Sequence, residues 1–133
     1  MKKGSREDID SLARAIGLRI DKEKGLWFYE HGPLIFLNNE FMRLLNLSSR
    51  CHERNTLIRI IHPDDIDDQI KSMFDQRKWQ KGTCHWQPPA RWQVAPGIYE
   101  TIRLFKNCMN VKWGLYLGKA HLIHDGELAE SAS

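Results

Sequence analysis

The strongest local constraint in this chain is the stretch Ile60-Ile61-His62-Pro63-Asp64-Asp65. Pro63 fixes its own φ near the helical value and lacks an N–H, which is harmless only in the first turn of a helix. Asp64 and Asp65 follow where the helix dipole favours negative charge. Ile66, Ile70, Met73 and Phe74 then fall on one helical face. The stretch therefore predicts an extended segment driven abruptly into a helix over 63–74.

The flanks constrain the rest. Ser5-Arg6-Glu7-Asp8 can cap a first helix, whose apolar stripe is Ile9, Leu12, Ala13, Ile16 and Ile20. Gly25–Glu30 and Pro33–Asn38 are aromatic and branched, with His31-Gly32 between them, and read as a β-hairpin. Asn38 or Asn39 can cap a helix carrying Phe41, Met42, Leu44, Leu45 and Leu47. The link 48–56 is polar and shows little pattern. Three extended segments close the chain. Thr83–Val94 is interrupted by Pro88-Pro89, Ile98–Phe105 follows Ala95-Pro96-Gly97, and Val111–Ile123 alternates Val111, Trp113, Leu115 and Leu117 with polar or small residues. The plan is α+β, with one five-stranded antiparallel sheet, helices on one face and an N-terminal amphipathic helix. Residues 1–21 form that helix, 22–125 the domain, and 126–133 a disordered tail.

Composition removes several function classes. A length of 133 residues suits one modest core. Net charge is only +3 and no basic cluster stands out, which argues against a nucleic-acid partner. No apolar stretch approaches the roughly 20 residues that span a bilayer, so no membrane partner is expected. The N-terminus has basic residues with no apolar core behind them, unlike a signal peptide. Cys51, Cys84 and Cys108 are odd in number and form no CxxC, which suits a reducing, cytoplasmic setting.

In this order the elements resemble a PAS domain, over roughly residues 22–125. The residues that carry the resemblance are Gly25-Leu26-Trp27-Phe28-Tyr29-Glu30, then Leu34–Asn38 leading into Asn39–Leu45, and above all Ile61-His62-Pro63-Asp64-Asp65. The last looks like the His-Pro-x-Asp signature that precedes the long helix in many PAS sequences. Pro96-Gly97 stands where the family often has an Asp-Gly turn, and His124-Asp125-Gly126 where it often closes with Asp-Ile-Thr. The resemblance implies a curved sheet around a small ligand pocket, here lined by Leu44, Leu47, Ile58, Ile61, Ile70, Ile102 and Leu115. It also implies a homodimer or a signalling-protein partner; an N-terminal amphipathic helix in this family often packs on the sheet or mediates dimers, and Ile9, Leu12, Ile16 and Ile20 are the expected dimer contact.

Catalytic and metal chemistry find little support. His121 and His124 sit three apart in a strand pattern and diverge, as do the neighbours Cys51-His52 and Cys84-His85. His62 is read as orienting the turn before Pro63 rather than as a haem ligand or pH-sensitive group. Asn107-Cys108-Met109 does not reproduce the cysteine motif of flavin-binding light sensors. Gly97-Ile98-Tyr99 and Tyr116-Leu117-Gly118 superficially match the halves of the GIY-YIG nuclease motif, but that family needs the halves closer together and a long C-terminal portion. The acidic cluster Asp64, Asp65, Asp67 and Asp68 is explained by the helix start. No catalytic residue, metal site or cofactor is assigned. Trp86 and Trp92, six apart, would share one side of a regular strand unless Pro88-Pro89 spoils the register. The reading is a non-catalytic sensory or interaction domain of a signal-transduction protein. Its alternatives are a protein–protein adaptor with no ligand and a small enzyme on another α+β fold.

Overall fold

The computed structural model describes residues 6–74, 84–110, 112 and 114–123. The side chains of Met73, Phe74, Cys84 and His85, together with Trp79, Val111, Trp113, His124 and the expected tail, lie outside the described residues. In chain order the elements are α1 (Arg6–Ile20), β1 (Leu26–His31), β2 (Leu34–Leu37), α2 (Asn39–Leu44), β3 (Cys51–Glu53), α3 (Arg54–Leu57), a 3₁₀ turn (Ile58–Ile60), α4 (Pro63–Phe74), β4 (Cys84–Trp86), β5 (Ala90–Ala95), β6 (Ile98–Asn110) and β7 (Leu115–Leu122). All strand pairs are antiparallel, in the order β3-β2-β1-β7-β6, with β4 and β5 both pairing the far edge of β6.

The sheet thus has seven strands rather than five. Two physical causes account for the difference. Gln87-Pro88-Pro89 interrupts one long edge strand and splits it into β4 and β5, since proline cannot donate to a ladder. β3 is a three-residue edge strand inside the link that showed no pattern, and the same link also holds the start of α3, which ends on the buried Leu57. The interruption further decides the two tryptophans. Trp86 pairs Phe105 while Ala90 pairs Ile102, so one extra residue stands on the β4–β5 side. One residue of slip exchanges the faces of a strand. Trp92 is therefore core, and Trp86 is surface.

Helices cover both faces of the sheet, and there are two apolar cores. On the inner face Phe28, Ile35, Leu37, Ala90, Trp92, Ile102, Leu104 and Ala120 meet Phe41, Leu45, Leu57 and Ile61 from the helical segment. On the outer face α1 lays Ile9, Ala13, Ile16 and Ile20 on Tyr29 and Leu115. Double coverage explains why β7 departs from the expected single buried face: Leu115 is buried outward, and Gly118 and Ala120 are buried inward.

Asn38 fastens the two halves. It caps α2 by accepting from the Phe41 N–H (3.1 Å), and the same oxygen accepts from the Trp27 N–H (3.2 Å). Its amide nitrogen donates to the Gly25 carbonyl (2.9 Å) and the Ile20 carbonyl (3.3 Å). One buried carboxamide so joins the end of α1, the start of β1 and the start of α2.

The Pro63 motif works as a clip as well as a helix start. Ile61 bridges Trp92, and the His62 N–H donates to the Arg91 carbonyl at 2.8 Å, so the segment lines the edge of β5. His62 Nδ1 then accepts from the Asp64 N–H at 3.2 Å, the bond an N-cap side chain makes. Asp65 does more than answer the helix dipole. It accepts from the Arg91 backbone N–H (2.8 Å) and from the Nε–H and Nη2–H of its guanidinium (2.9 and 3.1 Å).

Two predictions follow from these contacts. The Arg91 hydrogen bonds hold the Asp65 carboxyl below the usual carboxylate range. A depressed folded-state value contributes stability above about pH 4 that is lost as pH falls through the folded value. Asp65→Asn should therefore lower the melting temperature at neutral pH, and its deficit against wild type should shrink to nothing under acid; a deficit that is constant with pH would refute the charged clip. Gly118 is the second case. A Cβ there would stand 2.1 Å from Phe28 Cζ, and Phe28 is fully buried. Gly118→Ala should cost about 1–3 kcal/mol or more by overpacking, read from denaturant midpoints.

Candidate functional site

The inner face of the sheet carries a small cavity among apolar and charged residues. Ile35, Leu57, Ile58, Ile61, Trp92 and Leu104 form its apolar wall. Glu30 and Lys106 rise from β1 and β6, Arg54 from the start of α3, and Gln69 from α4. Its volume is ≈ 20 Å³, room for one water.

The charged residues are deeply placed. Glu30 is 1 % and Lys106 3 % exposed. Lys106 Nζ lies 2.6 Å from Glu30 Oε2, and Arg54 Nε lies 3.6 Å from Glu30 Oε1. Arg54 also donates to the Gly32 carbonyl. Burial pushes the Lys106 ammonium below its ordinary value, and the Glu30 carboxylate opposes that push. Gln69, buried on α4, donates to the Pro88 carbonyl. The Trp92 indole N–H and both carboxamide atoms of the buried Gln87 have no partner among the described residues. Such groups each cost free energy unless a water or a ligand satisfies them.

Few of the residues expected to line a pocket lie here. Ile58 and Ile61 line the cavity. Ile102 belongs to the same core, and Leu44 and Leu47 pack against it. Ile70 is half-buried, because α4 buries Gln69 and Ser72 instead. Leu115 faces the opposite way and lies under α1. Of the expected dimer stripe, Ile9, Ile16 and Ile20 are buried within this chain, and Leu12 remains 39 % exposed.

The polar lining was not anticipated, although the sequence holds a signal for it. Lys106 stands in phase with Ile102, Leu104 and Cys108, and Glu30 with Leu26 and Phe28. A charged residue at an inward position of a strand is costly unless paired, so two such residues in different strands point to each other. Among the described residues no group of three His, Cys, Asp or Glu side chains converges. Burial also raises the Cys108 thiol above its ordinary value, which makes it a poor nucleophile.

No protein-family model and no curated protein matches the chain. Among solved structures, the PAS-B domain of Cycle from Drosophila melanogaster, solved with bound ethylene glycol, aligns with a TM-score of 0.55 at 11 % identity. The alignment covers 74 % of this chain and 99 % of that one. The fold is PAS-like. The likeness rests on the curled antiparallel sheet with helices across its inner face, and at this identity it speaks for the fold alone.

The buried ion pair gives a sharp test of the site. Removing one partner of such a pair leaves an uncompensated charge and costs about 3–5 kcal/mol, whereas replacing both with apolar residues is often neutral. Lys106→Met alone leaves Glu30 with only the longer Arg54 contact and should destabilise by up to that amount in denaturant unfolding. Adding Glu30→Leu should restore most of the loss; a double variant no better than the single would show that the two charges are not coupled.

Proposed function

We propose that this chain is a non-catalytic sensory and interaction module of a signal-transduction protein, working in the cytoplasm. Its inner cavity takes a small polar ligand, and a partner protein or a second copy reads the resulting change. The observation that carries the reading is the cavity lining: a Glu30–Lys106 pair, Arg54, Gln69 and Trp92, whose indole N–H has no partner among the described residues, set among branched side chains. A ligand that both accepts and donates hydrogen bonds would satisfy the indole while meeting the Glu30 carboxylate. The PAS-B domain of Cycle holds a small diol, a molecule of that chemistry. Binding shifts a sensor only by its differential affinity for two states, so a ligand larger than one water acts here by moving the walls.

A second reading, an adaptor with no ligand, is favoured by one specific feature. The cavity of ≈ 20 Å³ is far below the several hundred Å³ of ordinary ligand pockets. Native mass spectrometry of protein taken from cells, combined with ¹H–¹⁵N spectra of the Trp92 indole, separates the two. A retained small molecule, or an indole shift on adding a small diol, is the expected outcome for the sensor. A bare mass with an unmoved indole across a set of small polar compounds would leave the adaptor.

A further inference from the structure

The outer sheet face beyond α1 carries a row of aromatics interleaved with cations, with Trp86 and His121 exposed and Phe105 and Trp27 half-buried. Trp86 is 48 % exposed, its ring 4.9 Å from that of Phe105 and 5.3 Å from that of His121. The Arg103 guanidinium lies over the same indole at 4.9 Å, and the Lys119 ammonium over Trp27 at 5.3 Å. The registers set these side by side: Phe105 stands opposite both Trp86 and Lys119, and Arg103 opposite His121. At Trp27 the row runs into a groove of ≈ 280 Å³ between α1 and the sheet, lined by Leu12, Ile16, Met109 and Leu117.

On β6 and β7 the outward charges, Arg103 and Lys119, are both positive. Among the described residues no carboxylate holds an outward position on β6 or β7. Glu23, on the groove, lies 3.9 Å from Arg19. Burial and the nearby Lys119 hold His121 below its ordinary value, so Arg103 and Lys119 carry the charge at neutral pH. Three occupants can be weighed. Two fixed cations are too few to track a nucleic-acid backbone, where affinity scales with phosphates neutralised. A second copy would bring exposed carboxylates such as Glu40, Glu53, Glu100 and the α4 group Asp64, Asp67 and Asp68, and seating any of these on this face is a head-to-tail contact that need not close. An apolar groove alongside a helix, continuous with a cationic aromatic row, matches a helix that has one apolar and one acidic face.

We infer that this face docks an acidic amphipathic helix of a partner protein. Its apolar side chains enter the groove between α1 and β7, and its carboxylates meet Lys119 and Arg103. This goes beyond the sensor and adaptor readings and holds under either of them. The test is a titration of the full chain with a short synthetic helix bearing leucine on one face and glutamate on the other, read by anisotropy and by the Trp86 and Trp27 indole resonances. Binding should weaken with added salt. Lys119→Glu and Trp86→Ala, both surface changes checked for folding by circular dichroism, should each weaken it about tenfold or more. The inference is overturned if the peptide does not bind, or if both variants bind it as wild type does. It is also overturned if a single-stranded oligothymidylate binds more tightly, or if sedimentation shows the face closed by a second copy.

Discussion

The Glu30–Lys106 pair fixes the arrangement of the inner face. The two residues rise from β1 and β6, and β7 lies between them. Two strand spacings separate their backbones, about 10 Å, so both side chains must lean across the middle strand. They can do so because the residue of β7 opposite Lys106 and Phe28 is Gly118. The absent side chain leaves room for the Phe28 ring, which lies where a Cβ would be, and Lys106 Nζ comes 5.9 Å from that ring's centroid. Desolvating two charges costs several kcal/mol each, and their attraction repays this only in good geometry. The geometry here depends on a glycine in the centre of a strand. Glycine weakens a strand by itself, and its place is explained by what must pass over it.

Much of this fold was legible in the sequence, and the part that was not has a common cause. The start of α4 at Pro63, the Asn38 cap of α2 and the β1–β2 hairpin follow from local rules that need no partner: a proline's φ, a side-chain cap, a turn glycine. The α1 stripe was legible as a stripe, but periodicity says only that a face is buried, not against what. Ile9, Ile16 and Ile20 went into this chain's own outer core. The pocket residues suffered in the same way. Leu115 alternates correctly, yet a sheet covered on both faces buries both sets, and alternation cannot choose the inner one. Ile70 lost its place to Gln69, a polar residue that no hydrophobic pattern would select; it is held by a carbonyl freed where Pro88-Pro89 interrupts the ladder. β3 and α3 were hidden because three- and four-residue elements carry too few positions to show a period.

The two cores share β1, and that gives a change in the inner cavity a short route to the outer face. Glu30 points inward to Lys106, while its neighbour Tyr29 points outward under α1. Tyr29 stacks on Phe36 at 4.4 Å and 7°, and its ring is so close to α1 that a Cβ at Gly17 would lie 3.2 Å away. Packed interiors transmit strain because they have little free volume to absorb it. One peptide unit and one aromatic ring thus separate Glu30 from α1. β7 repeats the arrangement, with Gly118 beneath Phe28 on the inside and Leu117 on the α1 side.

The same geometry sets what α1 can do. Four of its five stripe residues are spent on the sheet, so its exchange for another helix would cost the burial of Ile9, Ala13, Ile16 and Ile20 and bare Tyr29 and Leu115. At about 1.5–3 kcal/mol for each fully buried aliphatic side chain, that is a large fraction of the stability of a domain this size. A partner on the outer face gains more by lying beside α1 than by replacing it. There Leu12, Trp27 and Met109 are already gathered along an open groove, and Lys119 stands at its end. The outer surface and the inner cavity are thus opposite sides of the same two strands, which is the arrangement a module needs if binding on one side is to be felt on the other.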